Sequence, residues 1–526
     1  MPVRDTDTAD RTTATTLFGE VAPASEGRRF KGTWFLVPLF IHLTIQAVHA
    51  YLDRAPDFDE AIYMDLARSV VRTGKLLTSN YPPKPFLIHP PLFYYLVSLS
   101  FALFGPGLEA GRLVSTIMSI GNLGLVFSIL RTVRGSRWAA AGTLLVAVNP
   151  AFLYYGHSVY MEMTVALWMT AALWAFSRSG VEEGFRWERW TGIFLALACV
   201  TKYYAAVLVA VMALVIVTQA ERDWSGRMRR LAALLGPVVI AGALWVVWGL
   251  AMGGKDFIGA QISWGEPDMS GAIYSWRHAT NVLFFRELIG VMTPVWACLA
   301  FIGWAVGVGR VWKHRLMLQG RVEGVFVMLP VAYLLFLMSF REKDIKYIVP
   351  LIPTLGILIG LAPSIRWADK APGWLRWACV VLLAVLSSPL LPLYDPITGQ
   401  RHDNLWVFGI RRDAEYRRYR DAGIQAGHDT LPGQVVACQR KGPIIGYYAD
   451  RPYLDFWGFS PERARPYLAQ AEIVVLDRNT EYLSPQEQAT FRDFVVADFR
   501  PRQTLPGSGS PILELFQRTE PASPPP

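Results

Sequence analysis

The chain has 526 residues, 52% of them hydrophobic, with 19 Trp and 28 Phe, and its apolar residues come in blocks near 18 residues or longer. Such blocks separated by basic loops indicate an integral membrane protein and exclude an ordinary soluble multidomain enzyme. The net charge of +9 does not point to nucleic acid, because the basic residues mostly occupy short loops between apolar runs, where topology accounts for them.

In chain order, residues 1–32 (MPVRDTDTADRTTATT…) are polar, read as a disordered cytoplasmic tail. No apolar core precedes a cleavage site, so no secretory signal is expected. The first apolar run then serves as an uncleaved start-transfer segment. Candidate spans follow at about 33–52, 112–131, 138–156, 160–177, 190–201, 203–219, 232–252, 286–307, 323–340, 346–362 and 374–394. The run HPPLFYYLVSLSFALFG, residues 89–105, falls short of the ~20 residues that cross the hydrocarbon. Counting it as a span would invert every later loop. Laid on the membrane surface, it leaves six basic clusters on one side. These contain Arg28 and Lys31; Arg131 and Arg137; Arg178 and Arg189; Arg227 and Arg230; Arg310 and Lys313; and Arg366 and Lys370. Under the positive-inside rule that side is cytoplasmic. The expected architecture is an α-helical polytopic membrane protein of eleven spans in a multi-pass bacterial inner-membrane (plasma membrane) topology. The N-terminus lies inside and the first outer loop covers 53–111.

After about residue 395 the long apolar blocks stop. QVVACQ (434–439), AEIVVLDR (471–478) and PILELFQR (511–518) read as strands, with ERARPYLAQA and PQEQATFRDFVV helical between them. This predicts a small extracytoplasmic α/β domain over 395–518, followed by a Pro-rich tail at 519–526. Of four cysteines, Cys199, Cys298 and Cys379 lie in apolar segments and Cys438 stands alone, so neither a disulfide framework nor a metal-ligand spacing is present.

The outward-facing charges are the candidates for chemistry. DFDEAIYMDLARSVVRTGKL, residues 57–76, places Asp57, Asp59 and Glu60 at a helix start. Asp-x-x-Glu at 57 and 60 also fits a capping box. His89 precedes Pro-Pro, and Glu162 opens the fourth span, where a carboxylate is costly unless paired or functional. Lys202 sits in the turn of ACVTKYYAAV, where it also suits a snorkelling role. Arg341 and Lys346 lie in SFREKDIKYIVPLIP. The fourth outer loop adds Trp264, Glu266, Asp268, Trp276 and His278, aromatic and polar groups suited to a sugar or to an ordinary interface. A lipid-linked phosphate donor needs cations for the leaving phosphate, a carboxylate for the acceptor proton and an apolar groove for the lipid.

In that order the segments resemble the GT-C glycosyltransferases, most of all the protein O-mannosyltransferases and the lipid A aminoarabinose transferases. DFDEAIYMDLARSVVRTGKL is similar to the Asp-Glu signature of their first outer loop, and HPPLFYYLVSLSFALFGPGLEAGRL to the segment that follows it. SVYMEMTVALW, LALACVTKYYAAVL and REKDIKYIVPLIP resemble later segments, so the likeness covers about residues 33–365. The resemblance implies that Asp59 acts as catalytic base, with Glu60 orienting the acceptor or shaping the helix start. It implies that His89, Lys202, Arg341 and Lys346 hold the donor phosphate. Glu162, standing where the relatives have an aspartate, would bind acceptor, sugar or a divalent metal ion, and His278 joins it as a sugar-binding candidate. Ile88-His89 replaces a glutamate-lysine pair of the aminoarabinose branch, so neither that sugar nor a metal site is transferred. The expected function is inverting transfer of one sugar, hexosyl or pentosyl, from a polyprenyl-phosphate donor to a hydroxyl or phosphate of a lipid, glycan or protein acceptor of the cell envelope, on the extracytoplasmic side of the membrane. A lipid-linked oligosaccharide polymerase or ligase, and a lipid or polysaccharide transporter, are the alternatives. No Walker or dinucleotide glycine motif occurs.

Overall fold

The computed structural model describes residues 33–51, 55–179, 185–219, 223–263, 292–313, 322–338, 345–361, 372–388, 393–394, 401–402, 405–456, 459–478, 484–505 and 512–519. Its membrane part begins with α1 (Thr33–Tyr51), α2 (Phe58–Thr73), α3 (Leu92–Phe104), α4 (Leu108–Ala147), α5 (Pro150–Gly156) and α6 (Met161–Phe176). It continues through α7 (Arg186–Cys199), α8 (Ala206–Val217), α9 (Trp224–Gly253) and α10 (Lys255–Ser263). After residue 292 come α11 (Pro294–Lys313), α12 (Val322–Met338), α13 (Ile352–Leu361) and α14 (Gly373–Ser387). Among the described residues, α1, α4, α9 and α11 are long and apolar enough to cross a membrane; α5 and α6 pass that test together but are bent by 111°.

The helix α3 has 13 residues. At ~1.5 Å per residue it reaches only ~20 Å, well short of ~30 Å of hydrocarbon. Its Tyr95, Leu99 and Leu103, spaced by four, form an exposed apolar stripe of the kind that lies on lipid.

Two of the expected spans differ in the structure. The segments 112–131 and 138–156 are joined in α4, which runs unbroken except at Gly135, whose φ of 75° marks a kink. The second segment then ends early at Ala147. Asn149 takes an extended backbone and its side chain accepts from the amides of Ala151 and Phe152, starting a new helix with Pro150 at its first turn. The helix so started, α5, is bent by 111° from α6, and its Tyr154 reaches Asp57 at the start of α2.

The basic ends of the helices are gathered away from the site. Arg230 donates to Glu188 (2.6 Å), Gln219 (2.6 Å) and the Ser179 hydroxyl (2.9 Å). This ties the C-terminal end of α6 to the N-terminal ends of α7 and α9. Arg134 donates to the Leu361 carbonyl at 2.9 Å, and Arg137 lies over Trp34, which stacks on Trp377. The opposite ends of α6, α7 and α8 carry Glu162, Lys202 and Tyr204.

Beyond the bundle, a two-residue ladder of β1 (Leu393–Tyr394) and β2 (Arg401–His402) leads to α15 (Leu405–His428). A five-stranded sheet follows, in the order β4-β3-β5-β7-β6. Its strands are β3 (Val435–Cys438), β4 (Tyr453–Asp455), β5 (Ala471–Asp477), β6 (Phe499–Leu505) and β7 (Leu513–Arg518). The β3–β4 and β3–β5 pairs are parallel. Their crossovers are α16 (Gly442–Ala449) and α17 (Pro461–Leu468), as parallel pairing requires. Pairing of β7 with β5 and β6 is antiparallel, and α18 (Pro485–Asp498) covers the same sheet. β3 is buried at all four positions, hence its unbroken apolar sequence VVAC. The approach of α15 to α16 depends on Gly423 and Gly427: a Cβ at either would stand 2.7 Å from a carbonyl oxygen of Ile445 or Ala449.

The first outer loop is sewn onto this domain. Residues 79–81 extend the sheet past β4, with Tyr453 N donating to Ser79 O at 3.0 Å and Tyr81 N to Tyr453 O at 2.8 Å. Arg72 grips Asp450 through Nη1 and Nη2 of its guanidinium at 2.6 and 2.8 Å. Arg68 donates to the Tyr447 carbonyl at 2.8 Å and to Asp65 at 2.9 Å. Asp65 in turn accepts from the Ser79 amide and hydroxyl. The helix bearing Asp59 is therefore clamped between the bundle and the α/β domain.

Candidate functional site

The site is organised by the N-terminus of α2. Asp57 is the N-cap, its Oδ1 accepting from the Glu60 amide at 3.0 Å while Glu60 Oε2 accepts from the Asp57 amide at 3.1 Å. This is a complete capping box. Asp57 Oδ2 also accepts from the Tyr154 and Tyr160 hydroxyls at 3.2 and 2.8 Å, which fixes the helix start to α5 and the turn before α6. Glu60 is fully buried. Its Oε1 accepts from the Val159 amide at 2.8 Å and from Nε of Arg112, itself fully buried, at 3.3 Å.

Asp59 points elsewhere. Its side chain keeps 26% of its accessible surface, and Lys346 Nζ donates to its Oδ2 at 2.7 Å. The helical period carries residues 57, 60, 61 and 64 inward and leaves 59 on the neighbouring stripe. Two adjacent carboxylates thus have opposite surroundings.

A second pair stands close by. Lys202, in the short turn between α7 and α8, donates to Glu162 Oε1 at 2.5 Å, with both side chains almost wholly buried. The Tyr347 ring lies between the pairs, 4.8 Å from Lys202 Nζ and 5.6 Å from Lys346 Nζ. These are cation–π distances. The other carboxylate oxygen, Glu162 Oε2, and the Tyr94 hydroxyl are buried with no hydrogen-bond partner among the described residues.

Burial pulls the Lys202 ammonium below its ordinary range, opposed by Glu162 and reinforced by Lys346. Burial pushes the Tyr94 phenol well above its ordinary range, followed by the charges of Asp59 and Glu162. His89 is buried between Phe86 and Tyr203, with ring centroids 6.1 Å away from each. Burial, then Lys202 and Lys346, drive its imidazole well below the usual value. It therefore enters the site as a neutral ring, able to donate one N–H but not a positive charge.

Of the residues singled out in the sequence, Asp59, Lys346, Glu162, Lys202 and His89 come together from four separate loops. Glu60 lies behind them, facing Arg112. Arg341 and His278 lie outside the described residues. Four participants were not singled out: Asp57 as a tyrosine acceptor, Tyr154 and Tyr160 as its donors, and Arg112 as the partner of Glu60. Only the cost of burying Glu60 pointed to such a counter-charge. Among the described residues no group of three or more His, Cys, Asp or Glu is placed to hold a metal ion.

Two carboxylate–lysine pairs thus share one rim of the helical bundle, beside the short helix α3 and the appended α/β domain. Residues 88–248 match the family model described as dolichyl-phosphate-mannose-protein mannosyltransferase. The chain is 26% identical over 352 residues to the undecaprenyl phosphate-alpha-4-amino-4-deoxy-L-arabinose arabinosyl transferase of Edwardsiella ictaluri. That alignment takes in 63% of this chain and 59% of the relative, so it spans less than two thirds of that protein. Among solved structures, ArnT from Cupriavidus metallidurans bound to undecaprenyl phosphate superposes with a TM-score of 0.65 at 17% identity. The match covers 94% of this chain and 100% of that one. The oligosaccharyltransferase AglB from Archaeoglobus fulgidus, in complex with an inhibitory peptide and a dolichol-phosphate, gives a TM-score of 0.55 at 13% identity. Here 93% of this chain and 75% of that one are covered. These comparisons show a chain with the fold of ArnT and AglB and a segment similar to the dolichyl-phosphate-mannose-protein mannosyltransferase family.

Proposed function

We propose that this protein transfers a single sugar from a polyprenyl-phosphate donor to an acceptor hydroxyl on the extracytoplasmic face of the membrane, with inversion. The observation that carries the reading is the Asp59–Lys346 pair at 2.7 Å, beside the buried Glu162–Lys202 pair. A partly accessible carboxylate and two lysines occupy the same rim. The names of the relatives, which specify an undecaprenyl-phosphate sugar donor, support the same donor class.

In this mechanism the donor phosphate takes up Lys346 and Lys202, and the neutral His89 adds a hydrogen bond. Asp59, no longer engaged by Lys346 alone, accepts the proton of the acceptor hydroxyl. The acceptor oxygen forms its bond to the anomeric carbon as the bond from that carbon to the phosphate oxygen breaks. The electron pair of the broken bond stays on the polyprenyl phosphate, where the lysines neutralise it. Glu60 takes no proton; held by two amides and Arg112, it fixes the helix that presents Asp59. The topology belongs to the same proposal: eleven spans, the N-terminus cytoplasmic, and the α/β domain outside with the site. A hexose or a pentose fits this chemistry equally.

The test uses the full-length protein in lipid vesicles with a panel of radiolabelled polyprenyl-phosphate sugars. The reading expects polyprenyl phosphate to be released in a manner that depends on added cell-envelope extract. Failure to consume any donor, with labelled lipid instead crossing the bilayer, would favour a transporter.

A further inference from the structure

A cleft of about 650 Å³ opens between the first outer loop, α10 and the α/β domain, and nothing in the donor chemistry uses it. We propose that this cleft is the acceptor site and that it selects an uncharged, hydroxyl-rich glycan over a phosphorylated acceptor. The inference rests on the glycosyltransferase reading and names its acceptor class.

Position comes first. Phe58 and Ile62 line the cleft; on α2 they flank the stripe that holds Asp59. The loop wall formed by Phe86 and Ile88 leads directly into His89. An acceptor seated here therefore lies against α2 on the side of the α/β domain, at Phe58, the residue next to Asp59. The volume lies within the ~300–1,000 Å³ typical of small-molecule sites.

The lining gives the chemistry. Phe58 and Phe86 bring aromatic carbon to the lining for the apolar faces of sugar rings, with Lys441 Nζ 5.3 Å from the Phe58 ring, and Thr78 and Asn80 offer polar atoms. Among the described residues, the charged groups in the lining are Asp256, Asp455 and one lysine, Lys84. Two carboxylates against one ammonium make a poor seat for a phosphate and a good one for hydroxyls, which donate to carboxylates in charge-assisted hydrogen bonds. Asp455 is held in place by the Gly442 amide, which donates to its Oδ2 at 3.2 Å. Gln261 donates to the Leu87 carbonyl at 2.7 Å, closing α10 over the loop and bringing Asp256 to the rim.

The test measures transfer of label from the active donor to p-nitrophenyl hexosides and to the same hexosides carrying a 6-phosphate. The neutral probes should be glycosylated at least tenfold more efficiently. Asp256→Asn and Asp455→Asn should each raise KM for the neutral probe several-fold, with donor KM unchanged. Asp256→Lys should narrow the gap between the two probes. The proposal is overturned if the phosphorylated probe is preferred or if the Asn variants leave acceptor KM unchanged. It is also overturned if extract-dependent release of polyprenyl phosphate continues while no neutral glycoside accepts the sugar. Absence of any donor-dependent release would instead refute the underlying glycosyltransferase reading.

Discussion

Glu60→Gln and Asp59→Asn, one residue apart, should give opposite signatures. Glu60 is fully buried and accepts from the Asp57 amide, the Val159 amide and Arg112. Glutamine keeps its shape but removes the charge facing a buried guanidinium. It also turns an NH2 group toward donors on at least one side. Breaking one member of such a buried pair costs about 3–5 kcal/mol, moderated here because Arg112 also reaches the exposed Glu109 at 3.1 Å. Taking the lower figure, and ~2–4 °C per kcal/mol, the midpoint of thermal unfolding in detergent should fall by roughly 6–12 °C. Turnover measured well below that midpoint should fall far less than in Asp59→Asn. Light-scattering or tryptophan-fluorescence melts, run beside donor turnover, separate the two. If Glu60→Gln melts with the wild type yet loses turnover as completely as Asp59→Asn, Glu60 is a chemical group and the assignment above is wrong.

Other expectations follow from the same geometry. Lys202→Met should lower turnover by about 10²–10³ by removing a phosphate-neutralising charge, read as kcat with the donor saturating. Pairing it with Glu162→Gln should give a double-mutant coupling in stability of at least ~1 kcal/mol, since each single change leaves a buried charge alone. Additive effects would dissociate that pair. Asp450→Asn should weaken docking of the α/β domain by up to about 1 kcal/mol, the value of a well-aligned surface pair, and speed proteolysis between the bundle and that domain. Arg72 holds the Asp450 carboxyl below its ordinary value, so the contact persists above that value and is lost on strong acidification. For His89, the depressed folded-state value means that stability present above about pH 6.5, the ordinary imidazole value, declines as pH falls toward the lower folded value, because the unfolded chain takes the proton first. The wild-type melting curve should therefore lose more between pH 7 and pH 5 than that of His89→Asn; equal losses would refute a buried neutral imidazole.

The amino-acid pattern revealed the parts of this protein that depend on local rules. Asp57-x-x-Glu60 announced its capping box, the shortness of HPPLFYYLVSLSFALFG announced a helix too short to span, and VVAC and EIVVLD announced central strands. Charges at span ends from separated loops do meet at one rim. Their pairing was not readable: nothing in the local sequence matches Asp59 with Lys346 or Glu162 with Lys202, because those contacts depend on how distant helices pack. The break at 148–149 escaped a hydropathy reading, since AVNPAFLYYG is apolar on both sides and only Asn149-Pro150 marks a cap. Helix α15, the short strand β4 and the exposed strand β6 were equally hidden. The first is polar, and the others have few apolar residues to set a period. The strand contact of residues 79–81 with Tyr453 is made by backbone atoms, which leave no side-chain signal.

The central claim is that Asp59 takes the acceptor proton while the lysines hold the donor phosphate. The direct measurement compares wild type and Asp59→Asn in lipid vesicles, following donor-dependent release of polyprenyl phosphate together with donor binding. The account predicts donor binding within a few-fold of wild type and release slowed by about 10²–10⁴, the contribution of a general base. Release at the wild-type rate from the Asp59→Asn protein would contradict it.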